Sequence, residues 1–323
     1  MSADFRFIRS PALSGTAATR RIRMTDTPSA TGDRLTRFLI QRAGVRGVHV
    51  RLHDTWQQIR ERADYPPTVV ELLGEAAAAS ALFTGHAKVD GRLSVQLRGE
   101  RALRTLFAEC TAAGTLRGIA QLEGPGEVSR DLRALGPSAV LAITIENHGT
   151  GQREPVRYQG LVPLEAASLA GAFEDYFRQS EQLPTRLLLA ADGEAAAGLM
   201  VQKLPGDAGD EDGWTRVGAL FDTLREAELL ACPVGELLHR LFHEDGVAVM
   251  GDKPLRFGCS CSRERVEGML VSLGTEEARA AVIDGQAEVR CEFCGQTYRF
   301  DAAQVESMLH RHASEHEAPP GLQ

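Results

Sequence analysis

The chain has 323 residues, a net charge of −8 and six cysteines, and its length suggests about two domains rather than one. The acidic balance excludes a generic grip on phosphate backbones, which needs clustered Lys and Arg. No stretch approaches the roughly 18–20 unbroken apolar residues that span a bilayer, because the Leu72–Phe83 run is short and broken by Glu75. Neither nucleic acid nor membrane is therefore expected as a partner.

Residues 1–32 place Arg6, Arg9, Arg20, Arg21 and Arg23 among Ser, Thr, Ala and Pro. This segment reads as a disordered or mis-started extension, with Met24 beginning a plausible shorter chain; an organelle-targeting peptide is the competing reading. No continuous apolar run of signal-peptide length occurs there. Arg34–Arg42 predicts a short helix, and the alternation of Val48, Val50 and Leu52 predicts a strand. Asp54 is placed as the N-cap of a helix that ends near Asp64. Pro66 and Pro67 open a long helix through Phe83, apolar on nearly all sides and therefore expected inside the domain.

Strands are predicted at Leu93–Leu97, Leu116–Leu122, Ala139–Ile145, Tyr158–Leu164 and Arg186–Ala190, with a helix at Ala166–Phe177. Glycines 91, 99, 114, 124, 126 and 149 punctuate the strands as turns of an antiparallel meander should. Gly206–Gly213 is acidic and glycine-rich, a solvated connector. Amphipathic helices follow at Trp214–Leu230 and Val234–His243, with Leu220, Leu224, Leu229, Leu237, Leu238, Leu241 and Phe242 on their apolar faces. The expected fold class is α+β: an antiparallel-sheet domain around a central helix (33–205), a helical linker (206–256), a small cysteine module (257–313) and a tail (314–323).

The cysteines carry the chemistry. Cys259-Ser260-Cys261 is followed, after 29 intervening residues, by Cys291-Glu292-Phe293-Cys294-Gly295. Residues i and i+2 of an extended segment project to one side, and the Cys-x-x-Cys-Gly turn brings two more sulfurs together. Four thiolates favour a tetrahedral Zn²⁺ site. Paired cysteines without a secretory context point to metal or redox chemistry rather than a disulfide scaffold. On spacing alone a structural zinc ribbon is the leading reading, with a thiol-disulfide enzyme behind it. A nucleic-acid-binding ribbon is disfavoured, since residues 257–300 hold five arginines against seven acids.

Cys259-Ser260-Cys261-Ser262-Arg263-Glu264-Arg265 together with Cys291-Glu292-Phe293-Cys294-Gly295 resembles the redox switch of the heat-shock protein 33 family. Glu174-Asp175-Tyr176-Phe177-Arg178-Gln179-Ser180-Glu181-Gln182-Leu183-Pro184-Thr185-Arg186 resembles that family's most distinctive segment without cysteine. Asp64-Tyr65-Pro66, Arg117-Gly118 and Tyr158-Gln159-Gly160 match in order, so the likeness runs from about Asp33 to Phe300.

The resemblance implies a cytoplasmic, ATP-independent holdase that is not an enzyme. It further implies one zinc per reduced chain on Cys259, Cys261, Cys291 and Cys294, and disulfides Cys259–Cys261 and Cys291–Cys294 on oxidation. Zinc release, unfolding of the switch module and the metastable linker, binding of unfolding client proteins and a homodimer when oxidised complete the expectation. A zinc-ribbon adaptor that binds a protein partner without redox switching is the alternative.

Cys110 and Cys232 read as ordinary thiols. His239 and His243 lack the third ligand and intervening Glu of a zincin motif and read as surface or packing histidines, while His310, His312 and His316 are expected in solvent. Trp56 and Trp214 read as packing anchors. No Ser-His-Asp order, Walker motif or paired-carboxylate signature is present.

Overall fold

Alternating apolar residues, punctuated by glycine, build two six-stranded sheets in the computed structural model, which describes residues 20–21, 32–87, 89–124, 126–148, 156–206 and 208–316. The first sheet contains β1 (Arg20–Arg21), β2 (Arg34–Ile40), β3 (Val45–Leu52), β9 (Thr185–Ala191), β10 (Ala196–Lys203) and β11 (Val247–Pro254), in the order β1-β11-β2-β3-β10-β9. The second contains β4 (Arg92–Arg98), β5 (Leu103–Thr111), β6 (Thr115–Leu122), β7 (Val140–Asn147), β8 (Val156–Val162) and β12 (Arg256–Phe257), in the order β12-β6-β5-β4-β7-β8. All pairings are antiparallel except β12 with β6. The described residues divide into two compact units between Gly258 and Cys259.

The central helix α2 (Pro67–His86) lies between the sheets, beside α1 (Asp54–Arg60) and α3 (Leu169–Ser180). Pro67 sits in its first turn, where a missing N–H is harmless. By length and composition α2 could cross a membrane, but it is a core helix, 83% of its most apolar window being buried. Leu93, Val95 and Leu97 of β4, Leu106 and Ala108 of β5, and Leu141, Ile143 and Ile145 of β7 face it from the second sheet. Much of the opposite face of that sheet is polar; there Arg117 donates to Glu109 at 3.0 Å. One buried face gives clean period-2 alternation, which is why β4 reads plainly, whereas β5, with Ala108, Glu109 and Cys110 buried in succession, is a strand not expected from its sequence.

The first sheet is covered on both faces, and this changes several expectations. Val48, Val50 and Leu52 of β3 and Met200 of β10 face α2. Phe38, Ile40, Val45, Leu199 and Val201 face the other way, against α4 (Gly213–Phe221), α5 (Glu226–Ala231) and α6 (Val234–Phe242). Arg34–Ile40 is therefore a strand where a helix was expected. With both faces in contact, Leu35, Phe38 and Leu39 fall at spacings that mimic a helical stripe. The N-terminus of α1 is likewise held by a distant residue rather than by Asp54: Asp33 accepts from the N–H groups of His53 at 2.6 Å and Thr55 at 2.5 Å.

The segment after β10 also differs from its reading. The expected helix at Trp214–Leu230 is two helices, interrupted at Asp222–Arg225, and residues 247–254 form β11 between β1 and β2 rather than more helix. The glycine-rich stretch is docked rather than merely solvated. Asp210 N–H donates to Arg42 O at 2.9 Å, and a Cβ on Gly209 (φ +87°) would come within 2.3 Å of the Ala43 backbone. Arg216 donates to Asp210 at 2.9 Å and also grips the buried Asp245.

The distinctive 174–186 segment earns its residues by contact. Glu174 accepts from Leu187 N–H at 2.7 Å, Glu181 accepts from Gln202 at 3.0 Å, and Tyr176 packs over Gly160, where a Cβ would meet its hydroxyl at 2.3 Å. Trp56 is fully buried and donates from its indole N–H to Asp192 O at 2.8 Å, while Trp214 is partly buried against the linker-helix core. Of the N-terminal extension, Arg6, Arg9, Arg23 and Met24 lie outside the described residues.

Candidate metal centre

The second unit is a small scaffold. It comprises α7 (Arg263–Ser272), α8 (Thr275–Ala280), β13 (Val282–Ile283), β14 (Gln286–Arg290), β15 (Thr297–Asp301) and α9 (Ala302–His316), with the three strands in one antiparallel sheet. Its core is seven buried residues: Val266, Leu270, Ala278, Ala287, Phe300, Val305 and Met308. So small a core stabilises a fold only marginally by burial.

Both halves of the cysteine set are held by local devices that the motif residues supply. Cys259 and Cys261 precede α7, whose N-cap Ser262 accepts from Arg265 N–H at 3.3 Å, while the Arg265 guanidinium donates back to Ser260 O at 2.9 Å. The second half is the turn between β14 and β15. Gly295 N–H donates to Cys291 O at 2.8 Å, and Cys291 N–H donates to Gln296 O at 2.9 Å. Gly295 takes φ +73° there, a conformation in which glycine carries no Cβ penalty.

These devices converge. Cys259, Cys261, Cys291 and Cys294 are all half-buried, and their four sulfurs lie within 4.8 Å of one another. Cys259 Sγ is 3.6 Å from Cys291 Sγ, and Cys261 Sγ is 3.3 Å from Cys294 Sγ. Zinc–sulfur bonds of about 2.3 Å in a tetrahedron put sulfurs about 3.8 Å apart, so the set fits such an ion with small adjustments. Among the described residues this is the group with metal-ligand geometry.

The electrostatics are those of crowded sulfurs. Burial lifts the Cys259 thiol and pushes Cys294 up to about 12. Burial also opposes ionisation of Cys261, but hydrogen bonds from Tyr298 and the neighbouring thiols outweigh it and bring Cys261 down to about 7. Tyr298, donating to that sulfur, is raised to about 12. A divalent cation relieves this conflict by stabilising all four as thiolates.

The remaining candidates lie apart from this centre. Cys110 is buried in the main core, where burial pushes its thiol up to about 12. Cys232 is half-buried between α5 and α6, with the Arg240 guanidinium 3.7 Å from its sulfur. The His239 and His243 rings lie 5.0 Å apart and tilted by 45°, and His243 Nδ1 is engaged by the His239 carbonyl oxygen at 2.9 Å. His310 Nδ1 engages Glu306 O at 2.9 Å and His312 is exposed; the side chain of His316 lies outside the described residues. Tyr298, whose hydroxyl is 3.2 Å from Cys261 Sγ, is the site residue that motif spacing does not reveal.

Comparison with known proteins places this geometry. The family described as Hsp33 protein matches residues 33–301. The 33 kDa chaperonin of Ectopseudomonas mendocina (strain ymp) is 42% identical over 281 residues, covering 84% of this chain and 94% of that protein. The 33 kDa chaperonin of Hahella chejuensis is 41% identical over 281 residues, covering 86% and 97% respectively. The crystal structure of the Thermotoga maritima 33 kDa chaperonin, a heat shock protein 33 homolog, superposes with a TM-score of 0.73 at 20% identity, over 88% of this chain and all of that one. On these matches the chain belongs to the Hsp33 protein family.

Proposed function

We propose that the chain is an ATP-independent holdase chaperone of the bacterial cytoplasm, switched on by oxidation of Cys259, Cys261, Cys291 and Cys294. Two features of one chain support this reading: four gathered sulfurs stabilise a unit with little core, and just before them lie apolar helices that depend on docking. Helices α4, α5 and α6 have nine, six and nine residues, too few to be stable alone in water. Val217, Leu229, Leu237, Leu238 and Phe242 are fully buried against the first sheet. Releasing these helices would expose both their own apolar faces and the sheet beneath.

Zinc, when bound, holds the four sulfurs as thiolates and supplies stabilisation on the order of 10–16 kcal/mol, as in other small metal-dependent folds. Oxidation of the cysteines to disulfides Cys259–Cys261 and Cys291–Cys294, with zinc release, replaces four anionic thiolate donors with neutral disulfide sulfurs that hold the metal poorly. The 257–313 module then loses its fold, the 206–256 linker is freed, and apolar surface on the linker and on domain 33–205 captures unfolding client proteins. The oxidised form acts as a homodimer.

The deciding experiment is suppression of the aggregation of a heat-unfolded protein by the purified chain. Strong suppression after peroxide treatment and little in the reduced, zinc-loaded state is expected. Absence of suppression in both states would instead favour a zinc-ribbon adaptor without redox switching. Non-reducing peptide mapping tests the pairing; dominant disulfides between the two halves would contradict it.

A further inference from the structure

We propose that Tyr298 is a positioning residue of the switch: its hydroxyl donates to Cys261 Sγ across the two halves of the cysteine set and makes Cys261 the least nucleophilic of the four sulfurs. The proposal rests on the metal-bound redox reading above and adds a group that sets how readily the centre opens.

The geometry is specific. Tyr298 belongs to β15 and faces Val289 of β14 across the hairpin that carries Cys291 and Cys294. Its hydroxyl does not bond a sulfur of its own half. It reaches Cys261, which precedes α7, at 3.2 Å, a normal distance for an O–H donor to sulfur. The two halves are thus joined by a side-chain hydrogen bond as well as by the proximity of the sulfurs, and the tyrosine is half-buried where it makes that bond.

The chemical consequence follows from the step that opens the switch. A thiolate sulfur attacks one oxygen of a peroxide; the S–O bond forms, the O–O bond breaks and hydroxide leaves, giving a sulfenic acid. A second thiolate attacks that sulfur, forms the S–S bond and expels the oxygen as hydroxide. Two thiolates have lost two electrons and the peroxide has gained them. The rate of the first attack depends on lone-pair density at sulfur. When all four sulfurs bind one cation they are all thiolates, so thiolate fraction no longer separates them. Donation from Tyr298 withdraws lone-pair density from Cys261 and restrains it against leaving the cluster.

The test is limited alkylation of the reduced, zinc-loaded full chain with N-ethylmaleimide, read cysteine by cysteine by mass spectrometry. In the unaltered protein Cys261 should be the slowest of the four. In Tyr298→Phe, which keeps the ring, Cys261 should speed up by about fivefold relative to the other three, the worth of one ordinary hydrogen bond. Zinc release by hydrogen peroxide should accelerate much less than Cys261 alkylation does, because the three faster sulfurs already carry most of the first attack.

A merely structural role would raise all four rates together, and that pattern, or no change, would overturn the proposal. Should the variant fold poorly, the profile of the unaltered protein still decides: Cys261 reacting as fast as its neighbours contradicts the assignment. Zinc content measured beforehand tests the metal reading separately, so its failure cannot be mistaken for a failure of the Tyr298 role.

Discussion

At the scale of single residues, two kinds of group carry the account. Each of the four cysteines contributes one corner of a set in which every sulfur lies within 4.8 Å of the others, and no fifth ligand stands nearby among the described residues. Replacing any one with serine should drop zinc from one per chain to a small fraction, measured on the reduced protein. Full retention at unaltered affinity in any of the four would remove that residue from the set.

Glu75 is the other kind, a carboxyl buried in α2 that the function does not use. Burial, opposed by the Arg130 guanidinium that pairs with it, raises it from its ordinary 4.5 to about 7, with Glu226 and Glu71 adding to the rise. The folded state thus holds this proton more tightly than the unfolded chain. Its contribution to stability is full below about pH 4.5 and is lost as the pH climbs through about 7. Glu75→Gln removes that dependence. Relative to the parent, it should gain on the order of 2 kcal/mol between about pH 5 and pH 8, read by urea denaturation at each pH. A constant difference across that window would mean the carboxyl titrates normally.

The cysteine set was legible at this scale because i, i+2 and i, i+3 spacings are local facts of the chain. Tyr298 was not. Its partner Cys261 lies 37 positions away, and only the β14–β15 register and the entry of α7 bring the hydroxyl to the sulfur.

At the scale of elements, the linker helices are amphipathic pieces whose order depends on the first sheet. Leu238 is fully buried and Leu224 nearly so. Leu238→Gln should weaken docking by about 3 kcal/mol or more, since it loses a buried side chain and strands a polar one. The expected result is partial chaperone activity in the reduced state, with zinc content unchanged. An inactive reduced variant with unaltered exchange rates across α6 would count against the linker as the released element. Arg216→Ala should act in the same direction, because it leaves the buried Asp245 carboxylate without the guanidinium that grips it.

The elements also explain which parts of the fold could be read in advance. In the second sheet β4 buries one face and betrays its period of two, while the neighbouring β5 does not alternate cleanly and was not expected. β2 is in contact on both faces and took the guise of a helix. β11 begins 44 positions beyond the end of β10 and pairs with β2, more than 200 positions earlier in the chain; nothing in the local pattern of Val247–Pro254 announces that partner. The cap of α1 was misplaced for the same reason, since Asp33 reaches it from before β2 rather than from within the helix.

At the scale of the whole molecule, the account joins a metal-dependent unit to a segment whose helices fold only by docking. The chain runs from β11 through β12 to Gly258, whose N–H donates to Leu116 O at 2.9 Å, and the next residue is the first cysteine of the set. On the proposed mechanism, a change of state at the cysteines reaches, through the covalent chain, the end of the segment to be released.

Hydrogen exchange compared between the reduced, zinc-loaded chain and the peroxide-oxidised chain tests this claim most directly. The account predicts that protection across 214–243 collapses on oxidation, while α2 at 67–86, enclosed between the two sheets, keeps its protection. Equal protection of 214–243 in both states, with chaperone activity still switching on, would contradict it and place the client-binding surface elsewhere.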